Sequence, residues 1–165
     1  MHIEEPNTMP KNPISFNGTI TFCISAAKKL PDTDTVLFNV ADHVGKKDLT
    51  DPLVSIDIAH DEKFRTKHIN NCLNPVWFSH NVYEYQINGT IEEIVIRVKD
   101  KEWIGSRNVG AIRFDNDTLK ALQVDKKVEG WFDLRTNDGE GEYLPEAKLQ
   151  MSITYKNVIS GNYIT

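Results

Sequence analysis

Three basic residues, Lys63, Arg65 and Lys67, recur at every second position of a short segment that alternates with apolar or hydroxyl side chains. Side chains at i, i+2 and i+4 of a β-strand lie on one face, so this spacing predicts a row of three positive charges. Such a row is suited to anionic groups, but it is also typical of a solvated sheet face. The preceding strand-like segment carries Ser55 and Asp57, which favours the solvated face.

A second group with distinctive chemistry is the pair Trp103 and Ile104, which directly follows Glu102. This pair is unusual for a solvated turn, and indole favours the interface of a lipid bilayer. The pair therefore predicts membrane insertion, together with Phe38 in the apolar cluster 36–38. The alternative is that one of these side chains folds inward and packs against the protein.

No arrangement typical of catalysis is present. The five histidines show no ligand spacing with the cysteines, which argues against a zinc site. The sequence contains neither a glycine-rich phosphate loop nor a nucleophile elbow. We therefore expect a binding module and not an enzyme.

The charge balance narrows the range of partners. Nineteen basic and 24 acidic residues give a net charge of −5. This balance argues against nucleic acid, whose affinity depends on phosphate neutralisation. It also argues against passive adhesion to an anionic membrane, to which each basic residue contributes only about 1 kcal/mol. Membrane binding would need a local charge arrangement or an added cation.

The remaining composition is that of an ordinary domain in a reducing compartment. No window approaches the roughly 18 consecutive apolar residues of a membrane span, and the N-terminal residues do not resemble a secretory signal. Cys23 and Cys72 are the only cysteines among 165 residues, which favours free thiols. We expect a monomeric cytoplasmic protein that associates peripherally with membranes.

Strict alternation of apolar and polar residues dominates the sequence and indicates β-strands. The clearest are Gly18–Ser25, Leu53–Ile58, Glu93–Lys99 and Lys148–Tyr155. Weaker patterns predict further strands at Lys63–Ile69, Val82–Ile87, Val109–Phe114 and Gly130–Leu134. Eight short strands at this spacing predict an all-β, antiparallel Greek-key sandwich with at most one or two short helices in loops.

Several local patterns refine this organisation. Asn88-Gly89 is the dipeptide preferred by a type I′ hairpin turn, and a short helix is predicted at Asp117–Leu122, capped by Asn116 or Asp117. Strand periodicity places Trp77, Trp131 and Phe132 in the core. Residues 1–15 are expected to be a disordered lead, 16–158 the domain and 159–165 a tail.

Read in order, these segments resemble the C2 domain family over roughly residues 16–157. The opening NGTITFCISAAKKL resembles the family's first strand, and Asp51-Pro52-Leu53-Val54 resembles its Asp-Pro-Tyr-Val motif. Leu73-Asn74-Pro75-Val76-Trp77 resembles its Asn-Pro-x-Trp turn, Gly130–Leu134 its Trp-x-x-Leu strand and AKLQMSITY its closing strand. Each motif is weak alone, but their order and spacing are specific. The resemblance implies the permuted topology of the family, with an additional strand at the C-terminal end.

Two branches of the family are similar to this sequence. The sequence resembles the domain of plant-type phospholipase D at three places, which are Trp77-Phe78, the block Ile104–Gly110 and the ending Tyr155–Val158. The long first loop with Asp42–Gly45 resembles the novel protein kinases C. The catalytic half of phospholipase D is not present, since none of the histidines begins a His-x-Lys pair. The resemblance therefore implies a regulatory domain.

The resemblance also implies candidate calcium ligands. Asp51 matches the family's aspartate before proline in the first binding loop, Asp100 and Glu102 match the first two acids of the third loop, and Asn108 falls where a further aspartate is usual. Asp42 or Asp48 could replace the remaining first-loop acid. Calcium takes six to eight oxygen ligands, so this set predicts weak or single-ion binding. The alternative is that Asp51 caps the turn before Pro52 while the other acids are solvated.

The resemblance implies two functions that stay open at this point. One is docking on an anionic phospholipid membrane, with Ca²⁺ as a possible cofactor and with the Lys63, Arg65 and Lys67 strand lining a groove for phosphoinositide head groups. The other is calcium-independent binding of a protein partner, which the incomplete ligand set and Asp57 favour.

Overall fold

The computed structural model describes residues 13–32 and 49–158. Within these ranges the strands, in chain order, are β1 (Ile14–Lys28), β2 (Pro52–Ile58), β3 (Asp61–Arg65), β4 (Val82–Ile91), β5 (Ile94–Lys101), β6 (Ser106–Phe114), β7 (Lys127–Arg135) and β8 (Tyr143–Asn157). The helix α1 (Asn116–Asp125) precedes β7, and the single turn α2 (Thr136–Gly139) follows it.

The eight strands form an antiparallel array in the order β3-β2-β5-β6-β7-β8-β1-β4. A single residue pair, Ala111 with Arg135, joins β6 to β7, so the array divides into two four-stranded layers at that point. The predicted all-β sandwich with two short helices is therefore confirmed. The first and last strands lie side by side. The assignment of this connectivity to the permuted topology stays a prediction.

The alternating residues supply the core between the layers. Ile20, Phe22 and Ile24 of β1 are fully buried, while their neighbours Thr21 and Cys23 are only half-buried. Leu149 and Met151 of β8 are buried in the same way. Burial of alternate side chains fixes the register, because a slip by one residue would expose the whole apolar set.

Gly18 permits the close approach of β1 and β8. Its φ is +154°, and a Cβ atom there would lie 1.9 Å from the backbone oxygen of Lys156. Any larger residue would therefore push the two strands apart. Next to this contact the Tyr155 hydroxyl accepts a hydrogen bond from the Asn17 N–H at 2.9 Å.

The predicted hairpin turn at Asn88-Gly89 is wrong. Both residues lie inside β4, where Asn88 pairs with Asn17 and Gly89 with Phe16 of β1. The chain instead reverses at Glu92 and Glu93, between β4 and β5. Pairing with the long β1 thus outweighs the local turn preference of the dipeptide.

Two other local predictions need correction. The helix is present, but Asp115 is its N-cap, with a side chain that accepts from the N–H groups of Asp117 and Thr118. Trp77 is buried, whereas Trp131 is 40% exposed on the outer face of β7 and lies under the Lys28 ammonium group. Asp42, Asp48 and Phe38 lie outside the described residues, as do most of the predicted lead and tail, so the domain bounds stay a prediction.

Candidate membrane-docking rim

One end of the sandwich is formed by residues 49–51, 66–81 and 101–105, here called the loop rim. The Lys101 N–H donates to the Asp51 carbonyl oxygen at 2.9 Å, and the Cys72 N–H donates to that of Thr50 at 2.9 Å. These backbone bonds place residue 51 between the other two segments. Residues separated by about 50 positions in the sequence therefore meet at one edge of the fold.

Asp51 and Asp100 are brought together at this rim. Asp100 is 1% exposed, and its Oδ1 accepts the Asp51 N–H at 2.8 Å. The Asp51 carboxylate in turn accepts the N–H of Asn71 at 2.6 Å. Each carboxylate therefore fixes the backbone of a neighbouring rim segment, and hydrogen bonds to carboxylates are stronger than those between neutral groups.

Glu102 and Asn108 have different surroundings. The Glu102 carboxylate pairs with the Arg107 guanidinium group at 2.7 Å, and this ion pair spans the loop between β5 and β6. Asn108 is exposed on β6 and is paired with Lys99 across a bulge. Among the described residues, no group of three or more His, Cys, Asp or Glu side chains is placed to hold a metal ion.

Trp103 and Ile104 form the tip of this loop. Trp103 is 99% exposed and Ile104 is 86% exposed, so neither side chain packs inward against the end of the sandwich. Gly105, with φ of +75°, allows the chain to reverse, and its carbonyl oxygen accepts the Glu102 N–H at 3.0 Å. The short hydrogen-bonded turn and the ion pair at its base thus present two large apolar side chains to solvent.

The basic row predicted on β3 is not formed as expected. The strand ends at Arg65, so Lys67 lies beyond it on the rim, where its carbonyl oxygen accepts the Trp77 indole N–H at 3.0 Å. A bulge opposite Ile56 and Asp57 interrupts the alternation at Lys63. Lys63 instead pairs with Asp61 at 2.8 Å, and this hydrogen bond raises the pKa of the lysine.

The outer face of the β2–β5 layer is an ion-pair network. Arg97 lies between the carboxylates of Asp57, at 2.5 Å, and Asp138, at 2.8 Å. Glu62 binds Arg65 at 3.0 Å and Lys99 at 3.3 Å. Burial acts to raise the pKa of Glu62, but its hydrogen bonds and its attraction to Arg65 and Lys99 lower the pKa overall. The cations of this face are therefore neutralised by the protein's own acids.

Comparison with known proteins identifies the family. Residues 16–134 match the family model described as "C2 domain". This chain belongs to the C2 domain family.

The relatives of this C2 domain include the plant enzymes that the sequence resembled. It is 27% identical to phospholipase D beta 2 of Arabidopsis thaliana over 169 residues, which cover 96% of this chain and 18% of the relative. It is 27% identical to phospholipase D beta 1 of the same plant, covering 84% of this chain and 13% of the relative. The chain thus spans less than one fifth of the length of these relatives.

Solved structures support the fold. The calcium-bound tandem C2 domains of extended synaptotagmin 2 superpose with a TM-score of 0.64 at 21% identity, covering 88% of this chain and 48% of that one. A single C2 domain of plant extended synaptotagmin 1 superposes with a TM-score of 0.59 at 20% identity, covering 89% and 98%. No helix within residues 13–32 and 49–158 is long and apolar enough to cross a bilayer.

C2 domains commonly bind Ca²⁺, and in the described part of this rim the predicted carboxylate ligands all have partners within the protein. Calcium requires several carboxylate oxygens that converge on one point. Here Asp51 and Asp100 each have an oxygen engaged with a backbone N–H, and Glu102 is engaged with a guanidinium group. A positive charge at Arg107 would also repel a divalent cation held by Glu102.

Sequence reasoning missed two basic residues of the rim. Lys101 is exposed at the end of β5, and Arg107 is half-buried at the start of β6, so they flank the Trp103 tip on both sides. The signal was present in the segment KEWIGSR, in which an apolar pair lies between two basic residues. The acids of the same segment resemble metal ligands, and this resemblance masks the basic pair.

Proposed function

We propose that this C2 domain is a peripheral membrane-docking module that binds phospholipid bilayers through its loop rim. The exposure of Trp103 and Ile104 supports this function most directly. Exposed large apolar side chains at a tip are typical of interaction sites, and indole partitions to the bilayer interface. The relatives named phospholipase D are consistent with a lipid surface as the target.

The energetics of this contact are sufficient for reversible docking. Burial of one large apolar side chain contributes about 1.5–3 kcal/mol. Two such side chains together give a binding free energy that is large enough to hold the domain at a bilayer and small enough to let it dissociate. The hydrogen-bonded turn around Gly105 already presents both side chains to solvent, so less conformational entropy is lost on insertion.

Vesicle co-sedimentation tests the proposal. Trp103→Ala and Ile104→Ala should each reduce partitioning onto phosphatidylcholine vesicles that contain phosphatidylserine by roughly 10- to 100-fold, the equivalent of one buried apolar side chain. Neither change should alter stability by more than about 0.5 kcal/mol, since both side chains are exposed.

Val124→Ala is the matched control. Val124 is 62% exposed on α1, at the opposite end of the sandwich from the rim, so its truncation should leave vesicle binding unchanged. If the unmodified domain does not pellet with any vesicle, or if Trp103→Ala pellets like the parent, the proposal is wrong. A folded domain that never pellets would favour the protein-partner function.

A second candidate function, binding of a protein partner, is favoured by a separate apolar strip. Val76 and Phe78 are 46% and 91% exposed and alternate with the buried Pro75 and Trp77, and Val82 at the start of β4 is also exposed. Phe78 is itself part of the loop rim, so Phe78→Ser separates the two functions: a loss of vesicle binding assigns the strip to the membrane contact, and unchanged vesicle binding favours a protein partner for it.

A further inference from the structure

The two strands at the ends of the array, β3 and β4, are protected against strand addition to very different degrees. β3 is five residues long, four of them are charged, and a bulge interrupts its pairing with β2. β4 is ten residues long, pairs with β1 without a bulge, and contains one charged residue, Glu84, and no proline. Short length, charge, proline and bulges are the features that keep an edge strand from pairing with another chain. β3 has three of these features, whereas β4 has a single charge.

The hydrogen-bond pattern shows which groups of β4 lie at this edge. The Ile24 N–H donates to the Asn81 carbonyl oxygen at 2.8 Å, and the pairing with β1 continues in the same register as far as Ile91. Successive residues of an antiparallel strand direct their N–H and C=O groups to opposite sides. The odd-numbered residues of β4 therefore bond to β1, and the even-numbered residues from 82 to 90 direct these groups away from it. No strand of residues 13–32 and 49–158 pairs with that side.

The sequence of β4 is complementary to itself in the antiparallel direction. When two copies pair about a two-fold axis at Gln86, every outward-directed backbone group from Val82 to Thr90 gains a partner. Glu84 of one copy then lies opposite Asn88 of the other, so that an acid faces an amide and like charges do not meet. One segment thus supplies both strands of the pair.

The inward-facing residues of β4 fit the same register. Tyr83, Tyr85 and Ile87 are half-buried and pack against the core. In the two-fold arrangement Tyr85 lies opposite Ile87, and an aromatic residue opposite a β-branched one is a favourable cross-strand pair. Tyr83 lies opposite Gly89, where a Cβ atom would have no neighbour within 4 Å. An aromatic ring opposite a glycine at a sheet edge stabilises that edge, because the ring fills the space that the glycine leaves.

We infer that this domain forms a two-fold dimer through β4, with Gln86 of each copy at the axis. The dimer joins the β7-β8-β1-β4 layers of the two copies into one continuous sheet. Because β4 begins at the loop rim and the paired strands are antiparallel, the two rims lie at opposite ends of the dimer. The two Trp103 tips then cannot contact one flat bilayer together. The inference does not depend on the proposed function, and it differs from the monomer expected from the sequence.

Sedimentation velocity of the whole chain over a range of concentrations tests the dimer. We expect a reversible equilibrium between one copy and two copies, with no larger species. Gln86→Lys should weaken the dimer by at least about tenfold, because the axis brings two lysines together. Gln86→Glu should weaken it for the same reason. An equimolar mixture of the two variants should restore association as a heterodimer, which also shows that both variants are folded.

Gln150→Lys is the matched control. Gln150 lies on the outer face of the same layer but on β8, which is paired with β1 on one side and with β7 on the other. This substitution adds the same charge away from the edge and should leave the dimer unchanged. Equal losses for Gln86→Lys and Gln150→Lys would show association through the sheet face and would overturn the assignment to the edge of β4.

Amide hydrogen exchange provides a readout that needs no substitution. The N–H groups of Glu84 and Gln86 should become protected as the protein concentration rises. The N–H of Tyr85, which is directed to β1, should be protected at every concentration. A chain that stays monomeric up to about 1 mM overturns the inference. A dimer whose Glu84 and Gln86 amides stay unprotected, or a mixture of the two charge variants that does not associate, overturns it as well.

Discussion

At the scale of single residues, Asp100 shows how a side chain can match a ligand motif and have a structural role. It is 1% exposed and accepts the N–H of Asp51 across the rim. A buried carboxylate of this kind persists only when its hydrogen bonds are satisfied. The same contact sets the position of residue 51, and through Lys101 it sets the direction in which the Trp103 tip leaves β5.

Asp100→Ala should lower the free energy of unfolding by about 1–3 kcal/mol, because the partly buried Asp51 N–H loses its acceptor. Asp100→Asn keeps an acceptor oxygen and should cost less. Urea denaturation measures both. Asp133→Ala is the control, since it removes an exposed carboxylate that pairs with Lys148 at 3.2 Å on the surface and should cost at most about 1 kcal/mol. Equal losses for Asp100→Ala and Asp133→Ala would contradict the structural role.

At the scale of elements, the turn α2 is held against β5 and β6 by arginines. Arg97 donates to the Asp138 carboxylate, and Arg113 donates to the Asp138 carbonyl oxygen at 3.2 Å. Gly139, with φ of +87°, lies so close to β6 that a Cβ atom would be 2.8 Å from the backbone nitrogen of Arg113. This turn supplies Asp138, one of the acids that neutralise the basic residues on the outer face of the β2–β5 layer. That face therefore differs from the basic groove that the family resemblance implied.

The hydrogen bond from Arg97 lowers the pKa of Asp138 below its ordinary value of 3.8, although burial opposes this change. Because this pKa is lowered, the ion pair stabilises the fold fully when the pH is above the ordinary pKa of the carboxyl group. The contribution is lost as the pH falls through the pKa of Asp138 in the folded state. Asp138→Asn should therefore destabilise the domain at neutral pH, and the difference from the parent should shrink as the pH falls below about 4.

Denaturant midpoints measured along a pH series check this prediction. Asp125→Asn removes the same charge from an exposed position at the end of α1 and corrects for the change in net charge. A difference between the Asp138→Asn variant and the parent that stays constant from neutral to acidic pH would contradict the role of the ion pair.

At the scale of the whole molecule, the two strands at the ends of the array, β3 and β4, meet through aromatic side chains. Phe64 of β3 stacks on Tyr83 of β4 with ring centroids 5.2 Å apart, and Tyr83 also stacks on Phe22 at 6.2 Å. Among the strands of residues 13–32 and 49–158, neither of these two has a second strand neighbour in the array. These rings therefore cover the open side of the sandwich between its two layers.

A double-mutant cycle on Phe64→Ala and Tyr83→Ala should give a coupling of about 0.5–1.5 kcal/mol, the usual contribution of a stacked aromatic pair beyond area burial. Free energies of unfolding of the parent, both single variants and the double variant provide the measurement. Phe64→Ala combined with Phe132→Ala, whose ring contacts Phe114 instead, should be additive. Additivity for the Phe64 and Tyr83 pair would show that the rings do not join the layers.

Much of the fold could be predicted from the sequence because alternation is a local property. The buried positions Ile20, Phe22 and Ile24, and likewise Leu149 and Met151, followed directly from period-two patterning. The sequence-based predictions were wrong where strand pairing outweighed the local conformational preference of the residues. Asn88-Gly89 lies within β4 because β1 is long enough to pair with it. Lys63 is not in line with the other basic residues because a β-bulge lies at this position, opposite Ile56 and Asp57 of β2.

The sequence alone determined the family, the strand periodicity and the chemical nature of the Trp103 and Ile104 tip. Only the tertiary structure decided what the acids do, since the partners of Asp51, Asp100 and Glu102 come from other segments or from the far side of a turn. It also decided that both tip side chains point to solvent. Hydrogen-bond partners and exposure depend on the three-dimensional neighbours of a residue, and a residue's type and spacing do not encode them.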